Sequence, residues 1–209
     1  MNLQSFEDHV TTQDSAPQTR GAVINWGWFY DLVMWFLTFG KEDALRQKIA
    51  DLIHYQPGEK VLDVGCGTGS LALVAKERVG NAGSVHGIDP APRQIARARS
   101  KAARRGLAVD FHLGVIEKLP FPDQTFDVVQ STFAIDHVPE DLQRQGLKEI
   151  ARVLKPGGRL FILITGSVQG LVPLMKEAGF SQTETGEIKY RGLGLTQLHF
   201  AQGRIEAGA

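Results

Sequence analysis

Apolar and polar positions along the chain predict strands and helices that follow one another in turn. Short apolar runs predict strands at 61–64, 84–88, 109–113, 126–131 and 159–165. Helical spacing predicts helices between them, one ending near 79 and others at 92–105, 139–154 and 171–178. Two final strands, 182–190 and 195–201, are joined by a short loop. We therefore predict an α/β, doubly wound, mostly parallel seven-stranded sheet with an antiparallel terminal hairpin strand.

An aromatic cluster precedes this alternating region. Seven of the 17 aromatic residues, with all three tryptophans, lie between Trp26 and Phe39. Positions 29, 32, 33, 36 and 37 follow helical spacing, and the other aromatics give this helix a second apolar face. We predict a helical lid over the substrate, contacted through Tyr30 and Trp35. A helix that only closes the side of the sheet and a membrane-surface anchor are the alternatives.

These patterns divide the chain into a flexible N-terminal tail (1–20), an N-terminal helical lid or cap segment (21–56) and a core domain (57–209). The 23 basic and 23 acidic residues give no net charge, which argues against a nucleic-acid partner. The single cysteine, Cys66, excludes an intrachain disulfide, and we predict no metal site. With no secretory signal pattern, we expect a cytoplasmic protein.

A glycine-rich loop between the first strand and its helix carries most of the functional information. Its three glycines alternate with other residues, at Gly65, Gly67 and Gly69. Such a loop lets a ligand approach the backbone at the carboxyl edge of the sheet. Ser70 occupies a position where the nicotinamide fingerprint needs glycine or alanine, and Asp63 favours a cationic ligand over a diphosphate. Asp89 ends the second strand, where a carboxylate can accept both ribose hydroxyls. Adenosine joined to a cationic amino acid describes S-adenosylmethionine.

Residues 61–70 resemble motif I of class I S-adenosylmethionine-dependent methyltransferases. The segment 119–127 (LPFPDQTFD) resembles the L-P-F-P-D-x-S-F-D segment of the UbiE-like, methyltransferase type 11 group, and 154–160 resembles its L-K-P-G-G turn. Tyr30-Asp31-Leu32 with Phe39-Gly40 is similar to a segment of quinone methyltransferases. The resemblance extends over about residues 45–200. It implies a Rossmann-like fold, S-adenosylmethionine as cofactor and S-adenosylhomocysteine as product.

The resemblance also implies roles for individual residues. Asp63 would lie near the methionine amino group, and Asp89 would bind the ribose. The predicted cofactor-binding residues are Asp63, Gly65, Cys66, Gly67, Asp89, Pro90, Ile116, Glu117 and Ser131. Val115 departs from the family pattern, because the family usually has an aspartate there that reaches the adenine amino group. Either backbone groups near Ile116 make the adenine contact, or the affinity is reduced.

The segment after the fourth strand informs the choice of methyl acceptor. The fold that the resemblance implies would place His137 over the methyl group, which makes it a candidate general base; the alternative is a histidine packed at the start of the next helix. Phe133 is a predicted substrate contact. Residues 131–134 (STFA) lack the N/D-P-P-Y run that is common in enzymes methylating nucleobase or glutamine amino groups.

We therefore predict direct in-line methyl transfer to a small apolar or aromatic, quinone-like or lipid acceptor. A non-catalytic S-adenosylmethionine-binding or membrane-associated adaptor is the alternative, and a nicotinamide enzyme is a third interpretation. The basic residues of the predicted helix 92–105 indicate either a solvated face or peripheral contact with an anionic membrane. Monomer and homodimer both fit the sequence.

Overall fold

The computed structural model of the chain describes residues 19–21, 42–189 and 197–206. Tyr30, Trp35 and most of the predicted tail and lid lie outside the described residues. The described helices are α1 (Glu42–Ile53), α2 (Ser70–Val79), α3 (Pro92–Arg105), α4 (Glu140–Val153) and α5 (Leu171–Glu177). The strands are β1 (Lys60–Val64), β2 (Ser84–Asp89), β3 (Asp110–Leu113), β4 (Phe126–Thr132), β5 (Leu154–Ile164), β6 (Phe180–Lys189) and β7 (Gln197–Ile205).

The strands form one sheet in the order β3-β2-β1-β4-β5-β7-β6. The first five strands of that order run parallel, whereas β7 pairs antiparallel with both β5 and β6. The predicted doubly wound, Rossmann-like sheet with an antiparallel terminal strand is therefore confirmed. The strand order reverses between β1 and β4, and ligands bind outside the carboxyl ends of the strands at such a point.

Two apolar layers cover the faces of this sheet. Successive side chains of β1 point to opposite faces, so Val61 packs in one buried cluster and Leu62 in the other. On the Val61 face, α1 packs beside α2 and buries Leu45 and Ile49 completely. Residues 42–53 of the predicted lid segment thus cover the sheet, and α1 is fixed to the same rigid core that positions β1.

Several observed boundaries differ from the predicted ones because pairing overrides the local pattern. Strand β5 begins at Leu154 rather than 159, since Leu154 already pairs with Phe126 before a shift in register. Strand β7 continues to Ile205 rather than 201, because Arg204 pairs with Arg159 of β5. A 3-10 turn at Ile135–His137 was not predicted. Among the described helices, none is long and apolar enough to cross a membrane.

Candidate functional site

A cavity opens at the carboxyl ends of β1, β2 and β4, where the strand order reverses. Counted together with the open solvent at its mouth, its volume is about 970 Å³. The predicted site residues that line it are Gly65, Cys66, Gly67, Asp89, Pro90, Ile116, Glu117, Ser131, Phe133 and His137. Of the predicted residues that the structure describes, only Asp63 lies outside this lining.

The glycine loop follows β1 in a conformation that side chains rarely adopt. Gly65, Gly67 and Gly69 have φ angles of 72°, 53° and 77°. A Cβ atom on Gly65 would lie 2.3 Å from the Cβ of Ala134, whereas one on Gly67 would meet no atom within 4 Å. The Gly65 amide donates to the carbonyl of Ile88 over 2.9 Å, which fastens the loop to β2. Gly65 therefore allows close packing within the protein, and Gly67 leaves space for a ligand.

Side chains around the loop also restrict its position. Lys101 of α3 donates to the hydroxyls of Thr68 (3.0 Å) and Ser70 (2.7 Å). Cys66 is 9% exposed, and burial raises the pKa of its thiol well above the ordinary value. A thiol that stays protonated is a poor nucleophile, so Cys66 contributes a small packing side chain to the cavity wall.

Asp89 ends β2 with its carboxylate held by two backbone amides. Oδ2 accepts from the Gly67 amide at 3.0 Å, and Oδ1 accepts from the Ala91 amide at 2.9 Å. Burial raises the pKa of Asp89 to about 6, and these two hydrogen bonds offset part of the rise. Each carboxylate oxygen accepts more than one hydrogen bond. Asp89 is thus a fixed acceptor in the cavity wall, suited to a vicinal diol.

Asp63 lies on β1 behind the cavity wall and is 1% exposed. Its Oδ1 atom has no hydrogen-bond partner among the described residues. Burial raises the pKa of Asp63 to about 7, while Gln130 and Arg46 lower it and the charge of Asp89 raises it further. A nearby cation would therefore stabilise the ionised carboxylate of Asp63. This interaction would be electrostatic and without direct contact, because Asp63 lies behind the cavity wall.

Arg46 of α1 lines the cavity, although it was not among the predicted site residues. Its side chain is buried, and Nη2 donates to Glu42 Oε1 at 3.2 Å, one turn earlier in α1. Positions 46, 49 and 53 share one face of a helix, and Ile49 and Ile53 are buried. An arginine on an apolar helix face is the signal that could have identified it.

The segment after β3 forms the opposite wall of the cavity. Val115 and Lys118 form an isolated bridge, which makes a tight turn that presents Ile116 and Glu117 to the cavity. Ile116 packs against α4 so closely that a Cβ atom on Gly146 would lie 2.5 Å from its Cγ1. The lining of this wall is compatible with the flat apolar faces of a nucleobase.

Arg152 of α4 holds the neighbouring segment 119–123 in place. It donates to the carbonyls of Leu119 (3.0 Å) and Phe121 (2.8 Å) and forms an ion pair with Asp123. Glu149 accepts from the Leu119 amide at 2.9 Å and also pairs with Arg152. These contacts give the L-P-F-P-D segment a structural role beside the turn at 115–118.

The end of β4 supplies the remaining wall. Ser131 is fully buried, and its Oγ atom has no hydrogen-bond partner among the described residues. Phe133 has a φ of 56°, which is strained for a bulky residue, and its amide donates to the Leu163 carbonyl at 2.8 Å. The 3-10 turn that follows adds Ile135 and an exposed His137 to the cavity lining.

Two residues near the N-terminus also reach the cavity. Thr19 and Gly21 line it, and Arg20 between them forms an ion pair with Asp141 at the start of α4. Among residues 19–21, 42–189 and 197–206, no three His, Cys, Asp or Glu side chains are grouped so that they could hold a metal ion.

Comparisons with known proteins agree with this geometry. Residues 61–158 match the family described as "Methyltransferase domain". A demethylmenaquinone methyltransferase from Thermus thermophilus is 42% identical over 134 residues, which are 64% of this chain and 60% of that protein. A ubiquinone/menaquinone biosynthesis C-methyltransferase UbiE from Geotalea daltonii is 36% identical over 136 residues, or 64% and 57% of the two chains. The chain thus spans about 60% of the length of these relatives.

Solved structures show the same fold at lower identity. A Thermotoga maritima protein described as an S-adenosylmethionine-dependent methyltransferase superposes with a TM-score of 0.67 at 20% identity, covering 86% of this chain and 97% of that one. The [4+2]-cyclase SpnF superposes with a TM-score of 0.71 at 21% identity, covering 99% and 93%.

Over residues 61–158 the chain thus resembles a class I methyltransferase domain, and S-adenosylmethionine is the cofactor that this resemblance implies. Within that class the described core is UbiE-like, as the sequence motifs predicted.

Proposed function

We propose that this chain transfers a methyl group from S-adenosylmethionine to a small aromatic, quinone-like acceptor. One observation carries the proposal: a single cavity joins a hydrogen-bonding wall at Asp89 to an apolar wall at the end of β4, with His137 at that second wall. An adenosine needs the first kind of surface, and an aromatic acceptor needs the second.

The described residues fit this cofactor. Asp89 offers a fixed carboxylate for the two ribose hydroxyls, and Gly67 leaves open space beside it. Ile116 provides an apolar surface for adenine, which supports contact without the carboxylate that Val115 replaces. A cation in the cavity would lower the raised pKa of Asp63 behind the wall, so this carboxyl favours a ligand with a positively charged ammonium and sulfonium.

The acceptor class is supported by the wall after β4 and by the names of the relatives. Phe133, Ile135 and Val138 are apolar cavity residues, and His137 stands among them. The Thermus thermophilus relative is named for demethylmenaquinone and the Geotalea daltonii relative for ubiquinone and menaquinone biosynthesis. Both names fit an acceptor with an apolar, quinone-like ring.

When bound, S-adenosylmethionine supplies an electrophilic methyl group and leaves as the neutral thioether S-adenosylhomocysteine. The protein positions the acceptor so that its nucleophilic carbon or oxygen attacks in line with the breaking bond. The proton that the acceptor loses passes to a ring nitrogen of His137 and then to solvent, which the exposed ring contacts. The apolar wall excludes water from the reacting atoms.

Calorimetric titration and a turnover assay test this proposal. We expect the protein to bind S-adenosylmethionine and S-adenosylhomocysteine, and to bind NAD more weakly than either. Turnover, measured as S-adenosylhomocysteine formed, should be fastest with a short-chain reduced naphthoquinone. Catechol, phosphatidylethanolamine vesicles and a primary amine form the comparison panel. Tighter binding of NAD would contradict the cofactor, and a faster rate with the amine or the vesicles would contradict the acceptor.

A non-catalytic adaptor that binds S-adenosylmethionine is the second candidate, because the fold is not confined to methyltransferases. The fold also occurs in the [4+2]-cyclase SpnF, so the fold alone does not decide the reaction. Binding of the cofactor without turnover on every member of the panel would support the adaptor.

A further inference from the structure

Gln130 of β4 is a buried polar residue for which the proposed mechanism has no use. We propose that Gln130 is a positioning residue whose amide stabilises Asp63 as a carboxylate anion, and that this anion gives the cavity its preference for a cationic ligand. This inference rests on the proposed function, because it explains how the same site distinguishes S-adenosylmethionine from an uncharged adenosine derivative.

The sheet places Gln130 beside Asp63. The two residues are partners in the parallel register between β1 and β4. Each lies two positions after a residue of one apolar cluster, Val61 on β1 and Val128 on β4, so both side chains point to the face that α1 covers. Neighbouring strands are about 4.8 Å apart, which makes these side chains adjacent. Asp63 is 1% exposed and Gln130 is fully buried, so neither interacts with solvent.

Tyr55, which follows α1, fixes the orientation of the Gln130 amide. Its hydroxyl donates to Oε1 of Gln130. Burial, and after it the charge of Asp63, raises the pKa of Tyr55 well above the usual value, so the hydroxyl remains a donor throughout the neutral range. Among the described residues, the Nε2 donor of Gln130 and the Oδ1 acceptor of Asp63 have no hydrogen-bond partner. An unpaired donor and an unpaired acceptor therefore lie on adjacent positions of one buried face.

The side chain of Gln130 favours the ionised form of Asp63. Burial raises the pKa of Asp63 to about 7, and Gln130 opposes this rise more than Arg46 of α1 or the Ala72 amide of α2 does. The charge of Asp89 on β2 acts in the other direction and raises the pKa of Asp63 further. Of the groups that face Asp63 from the surrounding elements, Gln130 is therefore the main one that keeps it ionised.

Gln130 stabilises this charge without cancelling it. A cation beside Asp63 would also stabilise the carboxylate, but it would neutralise the negative potential in the cavity. The Gln130 amide donates with no net charge, and Arg46 already forms an ion pair with Glu42. The negative charge of Asp63 therefore stays available to an ammonium or sulfonium group on the other side of the cavity wall.

The pH profile of cofactor affinity separates this role from a structural one. Calorimetry should show wild-type affinity for S-adenosylmethionine rising to half its limiting value near pH 7 and levelling off above it. Gln130→Met keeps the length of the side chain and removes the donor. It should move this midpoint upward by about one pH unit, as for the loss of one hydrogen bond to a charged group. Affinity should then fall up to about 5-fold at pH 7 and less than about 2-fold at pH 8.5.

A matched ligand and two further variants serve as controls. 5′-Methylthioadenosine keeps the adenosine and the sulfur but carries no charge, so its affinity should not depend on pH and should change less than about 2-fold in Gln130→Met. Tyr55→Phe removes the hydroxyl that orients the amide and should move the midpoint upward by less than Gln130→Met does. Val128→Ala removes buried packing from the same face of β4, so it should lower the free energy of unfolding and leave the midpoint unchanged.

The remaining outcomes are also decisive. If Gln130→Met weakens both ligands by the same factor at every pH, Gln130 supports the structure and the proposal is wrong. It is also wrong if Val128→Ala moves the midpoint as far as Gln130→Met. A wild-type affinity for S-adenosylmethionine that does not change with pH would overturn the proposal even if no variant folded. If the profiles behave as expected but no acceptor is methylated, the proposal stands and the proposed reaction fails. If neither ligand binds, both fail.

Discussion

The two walls of the cavity are built by different means. The glycine-loop wall (Gly65, Gly67 and Asp89) is set by backbone hydrogen bonds, with two amides fixing the Asp89 carboxylate. The β4 wall (Phe133 to Val138) consists of side chains on a strained residue and a single 3-10 turn. The first wall is pre-organised for one ligand, whereas the second presents an apolar surface and one histidine.

We expect specificity for the acceptor to reside in the β4 wall. A wall made by the backbone tolerates few substitutions, because each residue is chosen for its conformation or for a charge at a strand end. A wall made by side chains can be adapted to a different methyl acceptor by single substitutions. The contact between Gly65 and Ala134 joins the two walls, so a change at that point affects both. Variants of each wall should therefore change different measurements.

Substitution of His137 in the β4 wall should change turnover alone, by a large factor. His137→Gln should lower kcat about 100- to 1,000-fold, because a general base contributes factors of this size. The affinity for S-adenosylhomocysteine should change less than about 2-fold. Asp136→Asn, in the same 3-10 turn, is the control and should retain most of the activity. Full activity of His137→Gln would exclude proton removal by this residue.

On the glycine-loop wall, the expected effect is on cofactor affinity. Asp89→Asn replaces a charged acceptor by a neutral amide of similar shape and should weaken S-adenosylhomocysteine binding about 100-fold, which corresponds to about 2.7 kcal/mol. Calorimetry measures the loss, and thermal unfolding checks that the fold is kept. Unchanged affinity would show that Asp89 does not bind the ribose.

The contact between the two walls predicts a difference between neighbouring glycines. Gly65→Ala forces a Cβ atom to within 2.3 Å of Ala134 and should lower the free energy of unfolding by about 3 kcal/mol. Gly67→Ala meets no atom within 4 Å and should cost only about 1 kcal/mol, from its φ of 53°. Gly67→Ala should nevertheless weaken cofactor binding. Equal losses of stability in urea unfolding would contradict this assignment.

The glycine-loop wall could be predicted from the sequence because its rules are local. Alternate glycines and a carboxylate at the end of the second strand follow from backbone conformation and strand periodicity, and the structure brings Gly65, Gly67 and Asp89 together as expected. Arg46 was missed because its role depends on where α1 packs. Its place on the buried face of that helix was nevertheless readable from the spacing to Ile49 and Ile53.

The β4 wall could not be predicted at the same level of detail. The positive φ of Phe133 depends on contacts that come from distant parts of the chain, namely the hydrogen bond to Leu163 and the packing of Ala134 on Gly65. No local pattern near Phe133 contains this information. The extension of β7 past 201 likewise depends on pairing with β5 and not on its own polar residues.

A further expected effect concerns the pH dependence of stability, through Asp63 behind the glycine-loop wall. Burial raises the pKa of Asp63 to about 7, so the folded protein binds a proton that the unfolded chain releases near pH 4. The free energy of unfolding should therefore fall as pH rises from about 4 to about 7, by at most about 1.4 kcal/mol per pH unit for this carboxyl. Urea unfolding across this range should give a flatter profile for Asp63→Asn.

Asp127, on β4 of the same sheet, should change the pH dependence of the free energy of unfolding in the opposite direction. Burial opposes ionisation, but hydrogen bonds from Lys155 and from the Lys60 amide lower the pKa of Asp127. Its contribution to stability should be present above the ordinary carboxyl pKa and be lost as pH falls, so Asp127→Asn should not flatten the slope between pH 4 and pH 7.

The affinity for S-adenosylmethionine should also depend on pH through Asp63. Because a nearby cation favours the ionised form of Asp63, wild-type affinity for S-adenosylmethionine should rise between about pH 4 and pH 7. An affinity that does not change with pH would show that Asp63 does not interact with the ligand.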